Sequence, residues 1–127
     1  VRIRISSMEK AWLTIKAPAD GIARYEFEYL IPLQDAEAIW HLTPYQIIKK
    51  RYNLSLSGGE WIVDCFEGNN KPLVLAEVEL NSADDPIDIP KWCWQEITGE
   101  SQWSNAFLAH TPIANWSREK RQMFKCD

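Results

Sequence analysis

Six stretches of the chain read as β-strands, and the charges within them fall in same-sign pairs two residues apart: Arg2/Arg4, Glu26/Glu28, Lys49/Arg51 and Glu77/Glu79. Side chains two apart on a strand share a face of the sheet. The stretches are VRIRI from Val1, AWLTIK from Ala11, the run from Arg24 to Leu33, Ile47 to Leu56, Glu60 to Phe66 and Leu73 to Leu80. Sorted by alternation, one face carries Arg2, Arg4, Lys16, Arg24, Lys49 and Arg51 together with Glu26, Glu28, Asp64, Glu77 and Glu79. The opposite face carries Ile3, Tyr25, Phe27, Tyr29, Tyr52, Leu54, Val63 and Val78. Any half-wet sheet carries charges on its solvent side. Like charges side by side repel, however, and a merely solvated face has no reason to concentrate them.

Separate clusters of both signs fit two ligands at once. Carboxylates are hard oxygen donors suited to Mg²⁺ or Mn²⁺. Arg forks and Lys point charges suit phosphate oxygens. If the sheet closes into a barrel, the charged face becomes the lining of a tunnel, where a lower dielectric strengthens such contacts.

Length and composition narrow the alternatives. At 127 residues the chain suits one domain, 1–127, with a charged tail over 117–127. Hydrophobic residues at 46% and charged residues at 25% exclude wholesale disorder. A net charge of -4 lacks the basic footprint of a nucleic-acid binder. No run of about 18 apolar residues suggests a transmembrane helix, and no signal-peptide pattern opens the sequence. Neither GxxxxGK[ST] nor GxGxxG occurs, so any phosphate is held by side chains. Cys65, Cys93 and Cys126 form no CxxC pair, which points to a reducing cytoplasm. With only His41 and His110 beside them, a Cys/His zinc site has no support. Val1 already reads as the inside of a strand, so the chain is expected to continue upstream.

Between the strands, Glu9-Lys10, Pro18 to Gly21, Ser57-Gly58-Gly59 and Gly68-Asn69-Asn70 read as turns. Asp35 to Leu42 reads as a short helix capped by Asp35, and Ser101 to His110 as another, capped by Ser101. Asn81 to Pro90 is a polar loop, with Asp84 and Asp85 as solvated residues. The seven Trp could stack a base or sugar, but packing is the preferred reading. His110 reads as a surface or capping histidine.

The ordered set VRIRI, Thr14-Ile15-Lys16, Glu26-Phe27-Glu28, Lys49 to Tyr52, Trp61 to Asp64 and Ala76 to Leu80 resembles the CYTH superfamily, the triphosphate tunnel metalloenzymes. The Glu96 to Gly99 segment, Trp103-Ser104-Asn105 and Leu108 are similar to the tail of its short bacterial members. The resemblance implies a mainly β (α+β) fold: an antiparallel eight-stranded tunnel with small flanking helices. It implies that Arg2, Arg4, Lys16, Arg24, Lys49 and Arg51 bind substrate phosphates. Glu26 and Glu28 would be catalytic residues that help place metal and water, and Glu77, Glu79 and Asp64 would hold Mg²⁺ or Mn²⁺. The family's ExExK strand is absent: the positions after the two glutamate pairs hold Leu30 and Asn81. That strand is expected upstream of Val1; a degenerate member with weakened metal binding is the alternative.

The implied activity is metal-dependent hydrolysis of inorganic tripolyphosphate or a related triphosphate. A class IV-type adenylate cyclase, a thiamine triphosphatase and a non-catalytic phosphate-binding module stay open. The expected partner is a triphosphate-containing small molecule, with neither nucleic acid nor membrane, in the cytoplasm; a homodimer is left open.

Overall fold

The computed structural model describes all residues of 1–127 except 22, 23, 57, 58, 81, 83, 126 and 127. It divides into two compact units, Val1–Gln46 and Ile47–Asp127. Each holds one antiparallel sheet of three strands.

In the first unit, β1 (Arg2–Ile5), β2 (Ala11–Pro18) and β3 (Arg24–Ile31) form a meander in that order. The β1–β2 turn closes through Ser6 and Lys10, whose backbones bond at 2.9 Å, with Glu9 left-handed at φ 58°. Gly21 supplies a φ of 73° at the start of the β2–β3 connection, a value that favours glycine. Helix α1 (Leu33–Leu42) packs against β1 and β2, and buries Ala36. Tyr25, Phe27 and Tyr29 on β3 stay about half exposed.

In the second unit, β4 (Lys49–Leu56), β5 (Gly59–Phe66) and β6 (Val74–Val78) repeat the meander. Its core is Phe66, Leu73, Trp103, Leu108, Ile113 and Trp116, with Phe124 and Leu75 packed against it. The sheet thus supplies one wall, and the C-terminal segments the other. Helix α2 (Asn105–His110) contributes Leu108, and α3 (Arg118–Met123) leads into Phe124. Buried Asn70 ties the wall together: its amide donates to the Leu108 carbonyl at 3.2 Å and accepts from the Ile113 N–H at 3.0 Å.

Several expectations shift. Six strands occur among the described residues, where the resemblance implies eight, and their pairing gives two sheets rather than one closed ring. The polar, Pro-punctuated stretch after β6 adds no further strand among the described residues, consistent with the lack of ladder donors at Pro. The first helix begins at Leu33, not Asp35, because Pro32 takes the N-cap position with ψ 136°; Asp35 sits in the first turn instead. The Ser101 to His110 helix is split. A 3₁₀ turn spans Ser101–Trp103, and Ser104 is the true cap of α2, accepting from the Phe107 N–H at 3.2 Å. β3 stops at Ile31, and β6 stops at Val78, so Glu79 lies one residue beyond the strand. Of the Ser57-Gly58-Gly59 turn, Ser57 and Gly58 lie outside the described residues, as do Asn81 and Cys126. Trp61, Trp103 and Trp116 are buried, as the packing reading expects, whereas Trp92 and Trp94 are about half exposed. Among the described residues no helix is long and apolar enough to cross a membrane.

Candidate active site

The register of the second sheet decides which charges meet. Arg51 pairs with Asp64 across β4 and β5, and Asp64 with Leu75 across β5 and β6. Lys49, Arg51, Asp64 and Glu77 therefore share a face, and Glu77 is diagonal to Asp64. Cys65 pairs with Lys50 and Val74 on the other face, as alternation requires.

Asp64 is the centre of this face. Its side chain is only 10% exposed, against 20% for Lys49 and 44% for Arg51. Its Oδ1 accepts from Arg51 Nε at 2.8 Å; its Oδ2 accepts from Arg51 Nη2 at 2.9 Å and from Lys49 Nζ at 2.8 Å. This is a bidentate guanidinium–carboxylate pair with a lysine added, the strongest class of neutralised hydrogen bond. Burial pushes the Asp64 carboxyl up, but the bonds and charges of Arg51 and Lys49 outweigh it and hold the group below its ordinary value. The bond to Asp64 lifts the Arg51 guanidinium above its own ordinary value against the effect of burial, with help from the charges of Asp64 and Glu77. Lys49 Nζ also donates to Asn105 Oδ1 at 3.4 Å and lies over the Phe66 ring at 5.6 Å. Glu77 and Glu79 are exposed.

The first sheet has its own charged face. Arg2 pairs with Thr14 and Thr14 with Glu28; Lys16 pairs with Glu26, and Pro18 with Arg24. Arg2, Arg4, Lys16, Arg24, Glu26 and Glu28 are thus on one side, and all six are exposed. Arg4 reaches Glu28 at 3.8 Å and lies 4.5 Å from the Trp12 ring centroid. Thr14, 2% exposed, donates from Oγ1 to Glu28 Oε2 at 3.3 Å and fixes that carboxylate from below.

The sequence-derived face is therefore reproduced within each sheet. Asp64 is brought to Lys49 and Arg51, with Glu77 close enough to act on Arg51. Among the described residues no three His, Cys, Asp or Glu side chains gather closely enough to hold a metal ion. Two participants, Thr14 and Asn105, have no functional role assigned from the sequence, where they stand only within segments that carry the resemblance. Thr14 shares the face of Lys16 on β2, next to Glu28 in the register. Asn105 becomes visible once Ser104, not Ser101, is recognised as the cap, because this sets Asn105 at the first position of α2.

No family model matches the chain. An inorganic triphosphatase of Acetivibrio thermocellus is 37% identical over 118 residues, covering 91% of this chain and 75% of that protein. The chain belongs to the inorganic triphosphatase family. A second inorganic triphosphatase, from Nitrosomonas europaea, is 32% identical over 102 residues, covering 77% of this chain and 67% of that one. The solved structure of the inorganic triphosphatase NE1496 matches with a TM-score of 0.65 and 28% identity, over 80% of this chain and 68% of that chain. The fold is accordingly a CYTH-like triphosphatase fold, mainly β with small helices. Leu30, two residues after Glu28, shares the face of Glu26 and Glu28 and is 68% exposed.

Proposed function

We propose that this member of the family hydrolyses a terminal phosphoanhydride bond of inorganic tripolyphosphate. The observation that carries the reading is the register: in both sheets the cationic pairs project from the same face as the carboxylates. A linear polyanion needs cations spaced along its length, and phosphate oxygens are matched by Arg forks and Lys ammonium groups. Arg2, Arg4, Lys16, Lys49 and Arg51, with Arg24 as a further member, bind and orient the phosphate chain. In the step itself, a water oxygen attacks the terminal phosphorus, the bridging P–O bond breaks, and pyrophosphate leaves. The arginines and lysines stabilise charge building on the phosphoryl oxygens. Glu26 and Glu28 orient the attacking water; Thr14 supports Glu28 in this.

Mg²⁺ or Mn²⁺ belongs to the same reading. When bound, such an ion supplies Lewis-acid polarisation of a phosphoryl oxygen. Glu77 and Glu79 are hard oxygen donors of the type it takes, and both are exposed. Asp64 fits poorly, since both of its oxygens are engaged by cations. The eight-stranded tunnel, residues 1–127 as a single domain, and a cytoplasmic setting complete the proposal; the free thiols of Cys65 and Cys93 suit a reducing compartment. The test is phosphate release from tripolyphosphate, ATP and thiamine triphosphate, each with Mg²⁺ and with Mn²⁺. Fastest release from tripolyphosphate supports the reading; tight binding of tripolyphosphate without release from any of the three would leave a phosphate-binding module instead.

A further inference from the structure

We infer that Asp64 is a positioning residue, not a metal ligand: it locks Lys49 and Arg51 into one rigid cationic pair aimed at a single phosphoryl group. This rests on the tripolyphosphate reading above. The first ground is occupancy. Oδ1 accepts one bond and Oδ2 two, all between 2.8 and 2.9 Å, from two cations. A divalent ion at Asp64 would need a contact of about 2.0–2.1 Å for Mg²⁺. It would then lie beside an ammonium and a guanidinium that already contact the same oxygens, and like charges at such range repel. The second ground is the gradient of exposure. The carboxylate is the least exposed of the three, and the cations are progressively more open. Arg51 commits Nε and one Nη2–H inward, and among the described residues no hydrogen bond engages its Nη1 end, which can bind an anion. Lys49 is held on two sides, by Asp64 and by Asn105, with the Phe66 ring alongside. The two cations share one buried carboxylate, and the exposed Glu77 beside them acts on Arg51, so the site offers paired cationic donors rather than a large net charge.

A pair fixed in this way loses little side-chain freedom when an anion arrives, so binding is stronger than two mobile cations would give. The lock also makes the second unit's sheet and α2 jointly responsible for one phosphate subsite, through Lys49 and Asn105.

Isothermal titration of the full chain with tripolyphosphate in EDTA, and separately with Mn²⁺ alone, tests the inference. Asp64→Asn keeps the shape and one oxygen but removes the charge. Metal-free tripolyphosphate affinity should fall by about tenfold, a loss of about 1.4 kcal/mol, with Mn²⁺ affinity unchanged. In turnover, KM for tripolyphosphate should rise more than kcat falls. In an Arg51→Ala background the same change should add little, because the pair it aligns is gone. A tenfold loss of Mn²⁺ affinity with metal-free tripolyphosphate binding intact would overturn the inference and restore Asp64 as a metal ligand. Should Asp64→Asn fail to fold, Asn105→Ala carries the test. It leaves the Ser104 cap in place and should weaken metal-free tripolyphosphate binding about threefold without touching Mn²⁺; no change in either would overturn the locked pair. Wild-type protein that neither binds nor cleaves tripolyphosphate defeats the parent reading, whereas normal binding by wild type and Asp64→Asn alike defeats only the positioning role.

Discussion

Arg51 and Glu77 share a sheet face, yet they should fail differently when changed. Arg51→Ala removes a guanidinium proposed to bind phosphate, and should raise KM for tripolyphosphate on the order of tenfold or more. Glu77→Gln removes an exposed carboxylate, and should mainly raise the Mg²⁺ or Mn²⁺ concentration needed for half-maximal rate. Steady-state kinetics across a metal titration separates the two; equal, small effects would reduce the charged face to ordinary solvated surface. Asp64 adds a pH dependence whose sign follows from its environment. Its carboxyl is held below the ordinary carboxylate value in the folded chain by Arg51 and Lys49. The group therefore contributes stability that is complete above the unfolded-state value and is lost as pH falls through the lower folded value. Urea unfolding of wild type and Asp64→Asn should give a stability gap that is constant near neutrality and narrows on acidification below the ordinary carboxylate range. Arg51, Lys49, Asn105 and Glu77 are the groups around this site, and the two cations dominate.

Among the elements, α2 is short, and its stability comes from burial and capping more than from helix propensity. Leu108, fully buried, joins it to Phe66 and Leu73 on the sheet side of the core. Leu108→Ala should cost about 2–5 kcal/mol, read by urea unfolding. Ser104→Ala removes the cap and should cost about 1 kcal/mol. It should also loosen Asn105 next door, and so raise KM slightly. The elements also mark what the sequence could and could not reveal. Strand alternation was legible because a side-chain period of two is a strong local signal: the shared faces of Arg2 with Arg4, Glu26 with Glu28 and Lys49 with Arg51 follow directly from it, whereas the rows that join them across strands come from the register. Helix starts were less legible, since they depend on backbone geometry. The apolar run through Leu33 masked a Pro32 cap, and two serines three apart, Ser101 and Ser104, competed for one helix start. Site pairing across elements was not legible at all. Nothing local in the sequence links Lys49 to Asn105, or tells whether Asp64 faces a metal or two cations; both follow from tertiary placement.

For the whole molecule, a net charge of -4 looks unsuited to a polyanionic substrate. The sheets resolve this by sorting. Cations are gathered in pairs on two defined faces and partly neutralised there by carboxylates, with much of the remaining acidity carried elsewhere, as in the loop residues Asp84 and Asp85. Binding strength then depends on local field rather than net charge, and should weaken with salt because exposed arginines supply part of it. The most direct measurement is phosphate release from tripolyphosphate, compared with ATP and thiamine triphosphate, in the presence of Mg²⁺ and of Mn²⁺. The account predicts metal-dependent release that is fastest from tripolyphosphate and yields orthophosphate and pyrophosphate; no release from tripolyphosphate with either metal, by folded protein, would contradict it.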